Sequence, residues 1–136
     1  MAKVLALDIG KKRTGIAETD PFQLIATGMP TVFTADLFTF LQGYISEEKP
    51  ELLVVGEPKQ MGGMPSEVEP FIQEVLAKIK AKWPTLLVKR VDERFTSKMA
   101  SHAISQSGMT KKKRQNKALI DEVSAVIILQ TYMNRK

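Results

Sequence analysis

The opening of the chain, from Lys3 to Asp20, constrains the fold more than any other stretch. Its first part, Val4 to Leu7, is a short apolar run that is typical of a strand buried on both faces. Asp8 then ends the strand, Gly10 allows a tight turn, and a second strand is predicted from Thr14 to Thr19. Because a buried carboxylate is costly without a cationic partner, we expect Asp8 to face a metal ion, a substrate-bound cation or a basic side chain.

Length and composition narrow the class of protein. The chain has 136 residues, the size of a typical domain, and we expect residues 1–136 to form one domain. It has no cysteine and one histidine, which excludes a disulfide framework, thiol catalysis and the usual ligands of zinc. No apolar run approaches the roughly 20 residues of a membrane span, and no secretory leader is recognised, so a cytoplasmic protein without a membrane partner is expected. The net charge of +5 favours a polyanionic partner such as nucleic acid.

The order of strand and helix patterns predicts an α/β fold with a mixed five-stranded sheet. The first three strands are expected to be antiparallel. The third runs from Gln23 to Phe33, and Gly28 and Pro30 mark it as an edge or irregular strand. A helix capped by Thr34 and a strand from Glu51 to Gly56 follow. This strand-helix-strand crossover implies a parallel pair.

The second half of the chain adds helices that we expect to pack against the sheet. Ser66 and Glu69 have the capping-box spacing at the start of a helix. A fifth strand is predicted from Leu86 to Val91, and a further helix near Thr96. A polar, basic segment then precedes a largely apolar last helix, which begins close to Lys117.

Three acidic residues occupy equivalent positions in this scheme. Asp8 ends the first strand, Glu93 follows the last strand, and Asp121 lies in the first turns of the last helix. Converging carboxylates repel one another, and divalent cations that prefer oxygen ligands, such as Mg²⁺ or Mn²⁺, remove that repulsion. Two such ions about 4 Å apart can assist hydrolysis of a phosphodiester. The pattern therefore predicts a catalytic metal site made of these three acids.

Each acid also has a purely structural explanation, which the residues alone leave open. Asp8 could form an ion pair with Arg13. Glu93 could form an ion pair with Arg94 in a solvated loop. Asp121 could be favoured by the dipole at the N-terminus of its helix.

Basic residues lie close in sequence to the predicted acids. One group follows the first strand, and a denser group precedes the last helix. A mobile basic segment would bind phosphates through counterion release, whereas a solvated loop without a ligand is the alternative. Aromatic residues are few, which favours recognition of backbone and shape over single bases. The predicted nucleic-acid-binding residues are Lys11, Lys12, Arg13, Arg94, Lys111, Lys112, Lys113, Arg114 and Lys117.

Four segments carry a family resemblance: DIGKKRTGIA, VVGEP, VDERFTS and KALIDEVSAVIILQTY. In this order and spacing, over about residues 3–133, they resemble the YqgF (RuvX-type) family of pre-16S rRNA nucleases, also described as Holliday junction resolvases. The resemblance implies a ribonuclease H-like fold and a metal-dependent nuclease that acts on structured nucleic acid in the bacterial cytoplasm. It links that nuclease to maturation of the 5′ end of small-subunit ribosomal RNA. It also implies catalytic roles for Asp8, Glu93 and Asp121.

The chain departs from the family pattern at Glu57, where the family often has an apolar residue. Glu57 is either a fourth metal ligand or a loop residue, and the loop interpretation is favoured because Glu93 already supplies the acid. The leading function is an endonuclease on pre-16S rRNA, expected to be a monomer or weak homodimer. The alternatives are a resolvase of DNA junctions, which needs a symmetric dimer, and a non-catalytic nucleic-acid-binding module.

Overall fold

The computed structural model describes residues 2–59, 66–92 and 117–134 of the chain. Within these ranges there are five strands and three α-helices. The strands are β1 (Val4–Ile9), β2 (Arg13–Thr19), β3 (Ala26–Phe33), β4 (Leu52–Glu57) and β5 (Leu87–Asp92). The helices are α1 (Leu37–Glu48), α2 (Glu69–Lys82) and α3 (Lys117–Asn134), and one 3-10 turn, Thr34–Asp36, precedes α1.

The five strands form one mixed sheet in the order β3-β2-β1-β4-β5. The pairs β1–β2 and β2–β3 are antiparallel, whereas β1–β4 and β4–β5 are parallel. The predicted mixed sheet, its antiparallel opening strands and the parallel crossover are therefore confirmed. β3 lies at the edge, as Pro30 indicated, because proline has no N–H to donate to a further strand.

Apolar side chains on both faces of the central strand build two cores. Along a strand, successive side chains point to opposite faces, and every residue from Val4 to Leu7 is at most 1% exposed. The core under α1 and α2 contains Leu5, Leu7, Ile9, Ile16, Leu37, Leu41, Tyr44, Leu53, Val55, Ile72, Val75, Leu76 and Ile79. The core under α3 contains Val4, Ala6, Ala17, Leu52, Val54, Val91, Ala125, Ile128 and Leu129. We call the side of the sheet covered by α3 the α3 face.

The turn between β2 and β3 is longer than the sequence pattern predicts. β3 begins at Ala26 rather than Gln23, because the Asp20 carboxylate holds the residues between β2 and β3 in a turn. Its oxygens accept hydrogen bonds from the backbone N–H groups of Leu24 and Ile25 at 2.8 and 2.7 Å. These hydrogen bonds, chiefly the one from Ile25, lower the pKa of Asp20.

The predicted start of the first helix is wrong by two residues, since a helix capped by Thr34 would begin at Ala35. α1 begins at Leu37, and Thr34 does not cap it. The Thr34 hydroxyl instead donates to the carbonyl oxygen of Gly10 at 2.6 Å and is hydrogen-bonded to the Thr14 hydroxyl at 2.9 Å. Thr34 therefore fastens the first hairpin to the start of the helical segment.

The predicted capping box at the start of α2 is also absent. The Glu69 carboxylate accepts hydrogen bonds from Arg90 of β5 at 2.8 and 3.0 Å rather than from the helix cap. Ser66 accepts a weaker hydrogen bond of 3.3 Å from the backbone N–H of Val68. A long-range ion pair therefore replaces the predicted local contact.

Two sequence predictions are not addressed by the fold. The helix expected near Thr96 lies outside the described residues, and the single domain of residues 1–136 stays a prediction. Among the helices in residues 2–59, 66–92 and 117–134, none has the length and apolar character to cross a membrane.

Candidate active site

Asp8 lies on the α3 face, one residue before the end of β1. Ala6 and Val4, two and four positions earlier along the alternation, pack in the core under α3. Across the antiparallel pair, Asp8 is opposite Gly15 of β2. The fold therefore brings this carboxylate to the end of the central strand, on the side that the last helix covers.

Asp121 reaches the same place from α3. The helix packs on the sheet through fully buried residues such as Ala125 and Leu129, and Asp121 precedes Ala125 by one turn. A Cβ atom at Gly15 would overlap the Asp121 carbonyl oxygen and would lie 2.6 Å from its carbonyl carbon. The Asp121 backbone therefore contacts Gly15, the cross-strand neighbour of Asp8, so both acidic residues adjoin Gly15.

Small residues of β2 and β3 make this close approach possible. A Cβ atom at Gly28 of β3 would lie 2.7 Å from Oε1 of Glu122, the residue after Asp121. Gly28 pairs in register with Ala17 of β2, which is fully buried. We call Gly15, Ala17 and Gly28 the small-residue bed of α3. This bed was not predicted from the sequence. The signals that could have revealed it are the small residues at alternate positions of β2 and the small Ala125 of the helix.

Arg13 forms an ion pair with the helix acid. Its Nε donates a hydrogen bond of 3.2 Å to Oδ2 of Asp121. The two side chains are 26% and 27% exposed, so water screens the pair and its stabilisation is about 1 kcal/mol or less. The sequence-based alternative predicted an ion pair between Arg13 and Asp8, whereas in the structure Arg13 pairs with Asp121.

Lys11 and Lys12 are exposed at the turn between β1 and β2. The turn is closed by a hydrogen bond of 2.9 Å from the backbone N–H of Gly10 to the carbonyl oxygen of Arg13. A second hydrogen bond of 2.9 Å runs from the backbone N–H of Thr34 to the carbonyl oxygen of Lys12. Two cations are therefore held in a fixed turn at the same end of the hairpin as the acids.

Glu57 lies on the opposite face of the sheet. It is the last residue of β4 rather than a loop residue, so the loop prediction is wrong at this position. Val55, two positions earlier, packs in the core under α1 and α2. Lys59 Nζ lies 3.4 Å from a carboxylate oxygen of Glu57 and 4.0 Å from one of Asp92, the register partner of Glu57. Glu57 therefore belongs to a cluster on the face away from α3.

Several predicted site residues lie outside the described residues. They are Glu93, Arg94, Lys111, Lys112, Lys113 and Arg114. Glu93 directly follows Asp92, the last residue of β5. Lys117 is the first residue of α3, and its side chain is outside the described part of the chain.

The donor set fits a hard divalent cation. Asp8 and Asp121 supply carboxylate oxygens, which Mg²⁺ and Mn²⁺ prefer, and Mg²⁺ is commonly held by one or two carboxylates together with water and substrate phosphates. Within residues 2–59, 66–92 and 117–134, no cluster of three or more histidine, cysteine or acidic side chains could hold a metal. The described part of the site therefore contributes two carboxylates, with a guanidinium beside one of them.

Comparison with known proteins identifies the family. The model of the RuvX family, described as Holliday junction resolvase, matches residues 2–135. The chain belongs to the RuvX family. The recognised motifs thus led to the right family.

Relatives of this RuvX chain match it over their full lengths. It is 50% identical over 136 residues to the protein of Flavobacterium psychrophilum named "Putative pre-16S rRNA nuclease", covering 100% of this chain and 99% of the relative. A protein of the same name from Christiangramia forsetii is 53% identical over 133 residues, 98% of each chain. Another, from Bacteroides thetaiotaomicron, is 48% identical over 140 residues, covering 100% of this chain and 99% of the relative.

Solved structures similar to this RuvX chain include RuvC of Thermus thermophilus. RuvC in complex with a Holliday junction substrate matches with a TM-score of 0.57 and 15% identity, covering 99% of this chain and 96% of that chain. Another Thermus thermophilus RuvC structure matches with a TM-score of 0.55 and 13% identity, covering 98% and 95%. At this identity the likeness concerns the fold alone, and it confirms the predicted ribonuclease H-like fold.

Proposed function

We propose that this chain is a divalent-metal-dependent endonuclease that hydrolyses phosphodiester bonds in structured nucleic acid. The observation that carries the proposal is that Asp8, by cross-strand register, and Asp121, by backbone contact, both adjoin Gly15, beside the basic turn of Lys11 and Lys12. Relatives that are 48–53% identical and named for a pre-16S rRNA nuclease support pre-16S rRNA as the substrate, and the family resemblance adds its 5′ end to the proposal. Such a substrate also places the enzyme in the bacterial cytoplasm.

The proposed catalytic residues are Asp8, Asp121 and Glu93. Asp8 and Asp121 hold Mg²⁺ or Mn²⁺ from the strand and the helix, and Glu93 completes the set from the segment that follows β5. The ion supplies Lewis-acid activation of the phosphodiester and of the attacking water. The reaction leaves a 3′-hydroxyl and a 5′-phosphate.

The residues proposed to contact nucleic acid are lysines and arginines that bind its phosphate groups. Lys11 and Lys12 offer point charges from a fixed turn, and Arg13 offers a guanidinium that matches phosphate oxygens. Outside the described residues, the proposal includes Arg94 and Lys111 to Arg114, with Lys117 at the start of α3. Such contacts fix register along the backbone and make affinity depend on salt.

Cleavage of an RNA that carries the precursor 5′ end tests this function. In Mg²⁺ or Mn²⁺ we expect Asp8→Asn to cut at least about 100-fold more slowly than the unaltered protein, because an amide is a weaker ligand for a hard cation than a carboxylate. Glu47→Gln is the matched control, since Glu47 is an exposed acid of α1 and its loss should leave the rate unchanged. Equal cleavage by the unaltered protein and Asp8→Asn would contradict the proposal.

Resolution of DNA junctions is the second candidate, because the matching family model is described as a Holliday junction resolvase. A resolvase needs two active sites that face paired strands, and therefore a symmetric dimer. The proposed rRNA nuclease needs only a monomer or weak homodimer. Sedimentation measures the oligomeric state, and parallel cleavage assays compare a four-way DNA junction with the precursor RNA. A strict monomer that cuts only RNA would exclude the resolvase.

A further inference from the structure

We infer that Arg13 is a positioning residue that competes with the divalent ion for Asp121 and, once displaced, binds a phosphate of the nucleic acid. The inference rests on the proposed function and adds that binding of the metal ion and binding of nucleic acid are coupled through Arg13. If a divalent ion took the place of Arg13 at Asp121, the guanidinium would become available to a phosphate of the nucleic acid.

Arg13 uses only part of its hydrogen-bonding capacity. A guanidinium carries five N–H donors in a planar fork, and Arg13 donates one hydrogen bond, from Nε to Asp121. Among the described residues, neither terminal nitrogen of Arg13 has a hydrogen-bond partner. These terminal nitrogens have the spacing that phosphate oxygens require, and the side chain is 26% exposed.

The position of Arg13 on the sheet brings it beside both acids. Asp8 is directly opposite Gly15, and Arg13 is two residues from Gly15 on the same face of β2. Arg13 is therefore the diagonal neighbour of Asp8, a relation in which the Cβ atoms are typically about 7–8 Å apart. Because Arg13 already contacts Asp121, a cation held by Asp121 and Asp8 would compete with this guanidinium for the Asp121 carboxylate.

Asp121 does not depend on Arg13 for its place. Its backbone packs directly against Gly15, and α3 is anchored by the buried Ala125 and Leu129. Arg13 therefore mainly supplies positive charge near the carboxylates, and a divalent ion must share or displace that charge when it binds. Loss of Arg13 consequently has opposite effects on the two ligands: the ion binds more tightly and the nucleic acid binds more weakly.

Two titrations of Arg13→Gln, one with Mn²⁺ and one with RNA, test this exchange of Arg13 between Asp121 and a phosphate. Mn²⁺ affinity is measured by calorimetry without nucleic acid, and affinity for a short RNA duplex is measured by fluorescence anisotropy in Ca²⁺. We expect the Kd for Mn²⁺ to fall roughly two- to fivefold and the Kd for the duplex to rise by a similar factor, as for a partly screened ion pair. Arg13→Lys keeps the charge, so both constants should lie between those of Arg13→Gln and the unaltered protein.

Lys12→Gln is the matched control, because Lys12 is the neighbouring exposed cation and makes no ion pair with Asp121. It should weaken RNA binding while Mn²⁺ affinity stays the same. Weaker or unchanged Mn²⁺ binding by Arg13→Gln, with Mn²⁺ binding by the unaltered protein intact, would overturn the exchange alone. Failure of the unaltered protein to bind Mn²⁺ in an Asp8-dependent manner would overturn the exchange and the proposed metal site together.

Discussion

Arg90 joins three parts of the fold through one guanidinium. Its terminal nitrogens donate to both oxygens of Glu69 at the start of α2, at 2.8 and 3.0 Å. It also donates to the carbonyl oxygens of Val55 at 3.3 Å and Gly56 at 2.9 Å, at the end of β4. Hydrogen bonds from Arg90 lower the pKa of Glu69 below its ordinary value of 4.5. One side chain therefore ties the end of β4, the edge strand β5 and α2 together.

The Glu69–Arg90 pair predicts how stability depends on pH. Because the pKa of Glu69 is lower in the folded state, its stabilisation is complete above the unfolded value near 4.5 and is lost as the pH falls through the folded value. We expect Glu69→Gln to lower the free energy of unfolding by about 1–3 kcal/mol at pH 7, and the difference to shrink steadily below about pH 4.5. Denaturant titrations at pH 7 and pH 3 measure it.

Glu74→Gln serves as the control for this prediction, since Glu74 is an exposed acid on the same helix and should change stability little at either pH. A loss for Glu69→Gln that is as large at pH 3 as at pH 7 would show that the charge of Glu69 does not matter.

At the scale of elements, the decisive contact is that of α3 with the small-residue bed. The start of the helix rests on Gly15 of β2 and Gly28 of β3, and its middle is held by Ala125. The position of Asp121 is therefore set by backbone contact rather than by a flexible side chain. Backbone contact suits the proposed role of Asp121 as a metal ligand, since ligand groups must be held within about half an ångström of their working positions.

Gly15→Ala should disturb the site more than the fold. The added Cβ meets the Asp121 backbone, which cannot rotate away, so the start of α3 must shift. We expect a loss of about 1–3 kcal/mol in the free energy of unfolding and a fall in Mn²⁺ affinity, measured by denaturation and calorimetry. Gly43→Ala is the control: a Cβ there meets nothing within 4 Å, and alanine should stabilise α1 by about 0.5–1 kcal/mol. Unchanged Mn²⁺ affinity in Gly15→Ala would show that the contact does not position the acid.

The sequence predicted those features that depend on local pattern. The apolar run of β1, the edge strand marked by Pro30 and the helix pattern around Ala125 each reflect a periodicity that burial imposes on neighbouring residues. They were enough for the order and direction of the strands. They also indicated which acids lie at strand and helix ends.

Features that depend on contacts between distant residues escaped prediction. Glu69 had the spacing of a capping-box residue but pairs with Arg90, which is 21 positions away. Arg13 had Asp8 nearby in sequence but bonds Asp121, 108 positions away. Local spacing shows that a partner is needed, whereas the fold decides which of several partners comes within reach.

For the whole molecule, functional groups are distributed unequally over the two ends of the first hairpin. The turn between β1 and β2 carries Lys11 and Lys12 beside the acids. The turn between β2 and β3, at the other end, exposes the apolar side chains of Phe22, Leu24 and Ile25, each at least 65% accessible. We therefore expect the turn with Lys11 and Lys12 to contribute more to binding of nucleic acid than the turn with the exposed apolar side chains.

The salt dependence of binding should show this inequality. Each phosphate contact contributes about 0.7–0.9 to the slope of log affinity against log salt concentration. We expect the double variant Lys11→Gln, Lys12→Gln to reduce this slope for an RNA duplex by about 1.5. The control is Lys78→Gln, Lys80→Gln, which removes the same charge from exposed positions of α2. An equal reduction by both double variants would mean that net charge, not the turn, determines binding.

The strict alternation along β1 restricts how this hairpin can evolve. Asp8 belongs to the α3 face because it lies two and four positions, both even numbers, after Ala6 and Val4. Deleting or inserting a single residue within β1 before Asp8 would turn its carboxylate into the apolar layer beneath α1 and α2, and would exchange other side chains of the strand between the two cores. We therefore expect this strand to accept changes of side chain more readily than a change of length.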